Sequence, residues 1–321
     1  GVCTGNYEAR PYGVRGPMPT ATPLRRCPDL QLVPVNMAKY REISAKIQAV
    51  FHDYTELIEP LSLDEAFLDV SNCNALDGNA TNIAKEIRQR IQDDHHITAS
   101  AGISVNKFIA KIASDWNKPN GQFVVKPHNV DRFVEALPVG KIFGVGKVTE
   151  AKIKELGVST CGDLRHISEA QLSNHMGSFG ERLYQLCRGI DNRPVKSNRI
   201  RKSLSVESTF SEDHNSVEEL LPVLDRLLNE LEVRYQKQRQ RYGINGVVLK
   251  MKFHDFQQTT VGHSGRYYWD KALLLRDFRE LLLGAWQRGN RSVRLLGIGL
   301  QFVTLDEAAD QLDLFSELAE S

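Results

Sequence analysis

The sequence has no C-x-x-C pair, no G-x-x-x-x-G-K-[ST] loop, no visible signal peptide and no apolar run long enough to cross a bilayer. The missing loop excludes the P-loop nucleotide-binding class. The missing apolar run excludes a helical membrane span. The five cysteines, Cys3, Cys27, Cys73, Cys161 and Cys187, are scattered. They match neither a disulfide framework nor a zinc cluster, which points to a reduced, cytoplasmic compartment. A strong overall charge is also lacking: the formal net charge is +1. What is present is a globular composition, 41% hydrophobic and 25% charged, over 321 residues, enough for two or three domains.

The near-neutral total hides an asymmetry. Residues 196–304 carry 18 Lys and Arg against 12 Asp and Glu, residues 305–321 carry six acids and no base, and residues 1–195 carry 23 bases against 22 acids. A basic module beside a neutral one suggests an anionic partner, with ordinary surface scatter as the alternative. The chain opens on Gly1 rather than Met and runs directly into Val2-Cys3-Thr4, so it reads as the remainder of a longer protein.

Hydrophobic spacing predicts helices at 20–27, 37–55, 79–95 and 106–117, with strands at 98–104 and 122–125 and a strand or hairpin around Asp64 and Glu65. From about 127 to 195 strand signals fade, and glycines punctuate short helices. Residues 191–202 are polar and basic and read as a linker. From 203 to 304 the order is β-α-β-β-α-β, the split βαβ pattern, which by itself names no function. The whole is an α+β multidomain chain.

Ser62-Leu63-Asp64-Glu65-Ala66 places two adjacent carboxylates inside a segment that otherwise reads as buried strand. A buried carboxylate requires a cation or hydrogen-bond donors, and Mg²⁺ favours one or two carboxylates plus phosphate oxygens. A helix cap or solvated turn is the alternative. Thr4, Tyr7 and Arg10 are spaced by three and would share one face of a helix, a donor set suited to polyphosphate; an ordinary amphipathic helix is the plainer reading. Lys118, in Asn117-Lys118-Pro119-Asn120-Gly121, can hold a triphosphate as a point charge, although alone it reads as a turn lysine. Phe143-Gly144-Val145-Gly146-Lys147 resembles the hairpin of a helix-hairpin-helix motif, in which glycine N–H groups and a Lys meet a nucleic-acid phosphate; a plain glycine turn is the alternative. Gln311-Leu312-Asp313-Leu314-Phe315, in the acidic tail, reads as a docking peptide rather than a frayed helix end.

In this order the pieces resemble a Y-family DNA polymerase of the DinB (polymerase IV) type. The text that carries the resemblance is Asn6-Tyr7-Glu8-Ala9-Arg10, Tyr12-Gly13-Val14-Arg15, Met18-Pro19, the Asp64–Glu65 segment, Lys111-Ile112-Ala113-Ser114-Asp115, the Lys118 turn, Phe143 to Gly146, and Asp255-Phe256-Gln257-Gln258-Thr259. The resemblance implies a right-hand-like polymerase: partial fingers at 1–34, palm at 35–126 with its first strand missing, helical thumb at 127–195, linker at 196–202, βαββαβ little finger at 203–304 and an acidic tail at 305–321. It implies template-directed, error-prone synthesis past damage, without proofreading, by a cytoplasmic, nucleoid-associated monomer with no membrane partner. Asp64 and Glu65 match the metal-binding, catalytic carboxylates for two Mg²⁺ ions. Thr4, Tyr7, Arg10 and Lys118 match contacts to the incoming deoxynucleoside triphosphate. Gly144, Gly146 and Lys147 match contacts to primer–template DNA. Gln311, Leu312, Leu314 and Phe315 match a sliding-clamp-binding peptide. Family members open with a strand bearing an Asp metal ligand, followed by an aromatic residue that excludes ribonucleotides. Neither is in this sequence, so weak or no synthesis and an exposed palm strand edge are expected of it. A non-catalytic DNA- and clamp-binding module is the second reading; a nucleotide cyclase, which needs neither hairpin nor tail, is the third.

Overall fold

A computed structural model describes residues 1–305, which form two compact units, Gly1–Asn198 and a second beginning at Arg199. The Gln311–Phe315 peptide lies outside the described residues.

In the first unit, α1 (Ala21–Arg26) is followed by α2 (Met37–His52). The β1 strand (Ile58–Pro60) pairs antiparallel with β2 (Ala66–Leu68), with Glu59 opposite Phe67. The α3 helix (Ala80–His95) starts at Asn79, whose side chain accepts the N–H groups of Thr81 and Asn82. Its Ile83, Ile87 and Ile91, spaced by four, form one buried stripe against Val50 and Tyr54. The strands β3 (Ala101–Ile103) and β4 (Gln122–Val124) run parallel, joined across α4 (Lys107–Ala113). Among the described residues the strands of this unit thus form two short pairs rather than one sheet.

Five short helices follow: α5 (Val130–Glu135), α6 (Lys147–Glu155), α7 (Cys161–Leu164), α8 (Glu169–Met176) and α9 (Ser178–Leu186). Reciprocal caps start two of them, Thr160 with Asp163 and Ser168 with Gln171. Their buried side chains, including Val134, Ile153, Leu164, Leu172 and Leu183, share one core with Phe108, Ile109 and Ile112 of α4. Each such side chain is worth roughly 1.5–3 kcal/mol of burial, so α4 is fixed by the helical core on one side while its other side is free to serve the hairpin.

In the second unit, β5 (Ser203–His214), α10 (Val217–Gln236), β6 (Tyr242–Phe253), β7 (Gln258–Tyr267), α11 (Lys271–Gln287) and β8 (Val293–Thr304) follow the expected β-α-β-β-α-β order. The antiparallel sheet is ordered β5-β8-β6-β7. Alternation puts Val247, Leu249, Met251 and Phe253 in the core with Leu224 and Phe278 of the helices. Lys250 and Lys252 therefore lie on the helix-free face, where Lys250 pairs with Glu207 across β8 at 2.9 Å.

Candidate active site

Asp64 and Glu65 stand in the loop between β1 and β2, with Asp64 exposed and Glu65 half-buried. This corrects the reading of a pair set within a buried strand. The Glu65 carbonyl accepts the N–H groups of Leu61 (2.9 Å) and Ser62 (3.3 Å), which turns the chain and lifts the carboxylates out of the ladder. The Ser62 hydroxyl donates to Asp64 Oδ1 at 2.6 Å.

Two lysines one turn apart on α4 brace this hairpin from one face. Lys111 Nζ donates to Glu65 Oε1 at 2.7 Å. Lys107 Nζ donates to Glu59 Oε2 on β1 (2.7 Å) and to the Pro194 carbonyl (2.8 Å), and lies 5.5 Å from the Phe67 ring on β2. Burial works to raise the Glu59 carboxyl, but Lys107 and the Lys196 amide outweigh it and hold the group below its ordinary value. The start of α4 is itself anchored. Asn106 Nδ2 donates to the Gly189 carbonyl (2.9 Å), and the Phe108 amide donates to Asp191 (3.1 Å), which also holds Arg193 through two 2.6 Å contacts. Residues 191–197, within the stretch expected to be a linker, are thus tied to the first unit, and Ser197 adds a 3.0 Å bond to the Glu56 carbonyl.

The segment from Thr4 to Arg10 is not a helix. Asn6 Oδ1 accepts the Ala9 amide at 3.1 Å, and a single 3₁₀ turn, Arg10–Tyr12, ends at Gly13 with φ +74°. An asparagine that turns its own backbone, and Pro11 at the head of the next turn, break the helix that the spacing predicts. Tyr7 and Arg10 still meet, the guanidinium 4.3 Å from the ring centroid. Thr4 is exposed and, among the described residues, makes no hydrogen bond to Tyr7, Arg10 or Lys118.

Lys118 pairs with Asp115 at 2.5 Å. That carboxylate, reinforced at longer range by Glu65 and Tyr7, holds the Lys118 ammonium above the usual lysine value against partial burial. Glu65 thus lies within electrostatic range of the Lys118 ammonium. The turn after Lys118 is held by Arg88 of α3, which donates to Ala99 O (2.9 Å), Gln122 Oε1 (3.2 Å) and Asn120 Oδ1 (2.9 Å). Carboxylates, ammonium groups, phenol and guanidinium thus gather in one unit. The ion pairs and hydrogen bonds of Lys107, Lys111 and Arg88 are not readable in the sequence, where Lys111 figures only as the first residue of the Lys111–Asp115 stretch, because their partners lie 48, 46 and up to 34 residues away.

Among the described residues, no three His, Cys, Asp or Glu side chains converge as a metal cage. The donor set at this place is the Asp64–Glu65 pair, which fits a hard divalent ion completed by water and substrate phosphate oxygens. Elsewhere in the unit, Gly144 has φ +99°, Gly146 is the N-cap of α6 with no side-chain cap, and both are exposed beside Lys147. The first amides of α6 are thus open to an anion.

Three family models match the chain. The impB/mucB/samB family covers residues 1–115, the DNA polymerase-iota thumb domain 140–191, and the impB/mucB/samB C-terminal domain 201–314. DNA polymerase IV of Pseudomonas syringae pv. tomato is 49% identical over 98% of this chain and 88% of that protein. The DNA polymerase IV of Ralstonia nicotianae is 48% identical over 98% of this chain and 87% of that protein. Among solved structures, a Y-family chimera of Dbh and Dpo4 superposes with TM-score 0.85 at 28% identity, covering 94% of this chain and 86% of that one. An insertion ternary complex of Dbh DNA polymerase gives 0.62 at 27% identity, covering 93% and 86%.

The chain belongs to the Y-family of DNA polymerases, in its DNA polymerase IV (DinB) branch. It is a DNA-directed DNA polymerase of the translesion class, a nucleotidyltransferase group that works with divalent metal, and the catalytic reading stands over the non-catalytic module.

Proposed function

We propose that Asp64 and Glu65 hold two Mg²⁺ ions at the point where a primer terminus meets a deoxynucleoside triphosphate, and that Lys118, Arg10, Tyr7 and Thr4 bind the triphosphate. What supports this reading is the geometry of one unit: Arg10 lies 4.3 Å from the Tyr7 ring, Lys111 holds Glu65 at 2.7 Å, and Lys118, within electrostatic range of Glu65, is held by Asp115. Bound there, the metal would supply Lewis-acid activation of the 3′-hydroxyl and charge neutralisation of the leaving pyrophosphate. The protein's own groups do the rest. Lys111 fixes the direction of Glu65, Ser62 that of Asp64, and Lys118 with Arg10 offsets the negative charge of the phosphates. Phosphoryl transfer needs positioning and charge stabilisation more than covalent chemistry, and this cluster provides both.

Gly144, Gly146 and Lys147 would bind the backbone of primer–template DNA without reading bases. The basic 203–304 domain would grip the duplex in a salt-dependent manner. Gln311, Leu312, Leu314 and Phe315 would dock a monomeric enzyme on a sliding clamp, raising its local concentration at the nucleoid.

The test is deoxynucleotide binding and primer extension on a defined primer–template. Asp64→Asn and Glu65→Gln are each expected to weaken metal-dependent nucleotide binding by this chain and, once a first strand bearing the family's Asp ligand is supplied, to lower incorporation by about 10²- to 10³-fold, with duplex affinity nearly unchanged. Equal nucleotide binding and extension in both variants would contradict the assignment.

A further inference from the structure

The tip of the β6–β7 hairpin has no part in the site above. Phe256 sits there with φ +65°, its amide donating to Phe253 O (3.0 Å) while the Phe253 amide donates to Gln257 O (2.9 Å). Such tight hairpin positions are filled without steric cost by glycine or asparagine, and a bulky side chain there is an outlier. The strain is not offset by burial: Phe256 is 63% exposed, while Phe253 beneath it is 2% exposed.

Two cations attend the ring. Arg294 lies 4.9 Å and Lys252 5.8 Å from its centroid. Among the described residues neither has a carboxylate partner. Arg291 braces the tip, pairing with Asp255 (2.6 Å) and donating to Gln257 Oε1 (2.8 Å). Lys252 projects from the helix-free face, since its neighbours Met251 and Phe253 are in the core.

An exposed aromatic in a strained conformation, flanked by uncompensated cations, suits one ligand chemistry: a flat π-face joined to a phosphate. Strain kept at a surface position is a mark of function. A base-paired duplex keeps its base faces stacked inside, so only an unpaired nucleotide offers one to a ring at the tip. We propose that Phe256 is a stacking platform for an unpaired base of single-stranded DNA, with Lys252 and Arg294 holding the adjoining phosphates. The proposal rests on the DNA-binding reading of this domain and specifies which part of the DNA its hairpin tip takes.

The experiment compares a blunt duplex with the same duplex carrying a short single-stranded overhang, by fluorescence anisotropy, using the full chain and Phe256→Gly. The full chain is expected to favour the overhang substrate by roughly tenfold, the order of one base–aromatic stack. Phe256→Gly is expected to lose that preference, keep its affinity for the blunt duplex, and show an equal or higher Tm because glycine relieves the backbone. Phe256→Asn, also tolerant of positive φ, should behave the same way. An overhang preference that survives in Phe256→Gly, or is absent from the full chain, would overturn the proposal. So would a lowered Tm in both variants, which would make the ring a structural cap. Failure of the full chain to bind either DNA would instead remove the DNA-binding reading on which the proposal stands.

Discussion

Lys111 shows how a residue gains a role only when the chain is folded. In the sequence it is one lysine among 41 basic residues; in the structure its ammonium is 2.7 Å from Glu65 Oε1 and mostly shielded from solvent. A partner that orients a metal-binding carboxylate typically accounts for about 10- to 100-fold in affinity or activity. Lys111→Met is therefore expected to slow nucleotide addition at saturating metal and nucleotide by at least about tenfold, with Lys111→Arg recovering most of the rate and duplex affinity unaffected. Pre-steady-state incorporation measures this, and an unchanged rate in Lys111→Met would contradict it. Asp64 and Glu65 stand out in the sequence as a candidate pair, because two adjacent carboxylates between apolar residues call for a cation. The pairing of Lys111 with Glu65 does not, because ion pairs between distant residues leave no local pattern. Tyr7 and Arg10 read in the sequence as candidate donors on one helix face, but that helix is not formed: Asn6 and Pro11 turn the backbone, and a cation–π contact brings the pair together instead.

At the scale of elements, the site depends on how closely α4 lies on β3. A Cβ at Gly102 of β3 would fall 2.0 Å from the Ala110 carbonyl oxygen and 2.3 Å from the Ser114 amide. No backbone contact of that kind can be accommodated without moving the helix that carries Lys107 and Lys111. Gly102→Ala is expected to cost roughly 2 kcal/mol or more through overpacking, and to depress nucleotide addition along with stability, since the hairpin loses both braces. Urea denaturation with parallel extension assays measures this, and a variant with full stability and activity would contradict it. The long helices α2 and α3 and the βαββαβ order were readable from period and turn residues. The extents of β1 to β4 were not, because three-residue strands fix too few alternations to separate strand from loop.

Across the whole molecule, chemistry and basic charge fall in separate units. The carboxylates, lysines and phenol of the candidate site belong to the first, and the basic residues 199–304 to the second. That division was visible in the charge count, and the unit break at Asn198 falls where composition shifted, although the ties of residues 191–197 to Glu59 and α4 were not visible at all. On the proposed reading, Asp64, Glu65, Tyr7, Arg10 and Lys118 serve a single metal–triphosphate site. The most direct measurement is anomalous diffraction from crystals of the chain with primer–template, a non-hydrolysable deoxynucleoside triphosphate and Mn²⁺. Manganese is expected at bonding distance from Asp64 and Glu65, with the phosphates hydrogen-bonded to Lys118 and Arg10. Manganese bound elsewhere, or a triphosphate remote from Lys118, would contradict it.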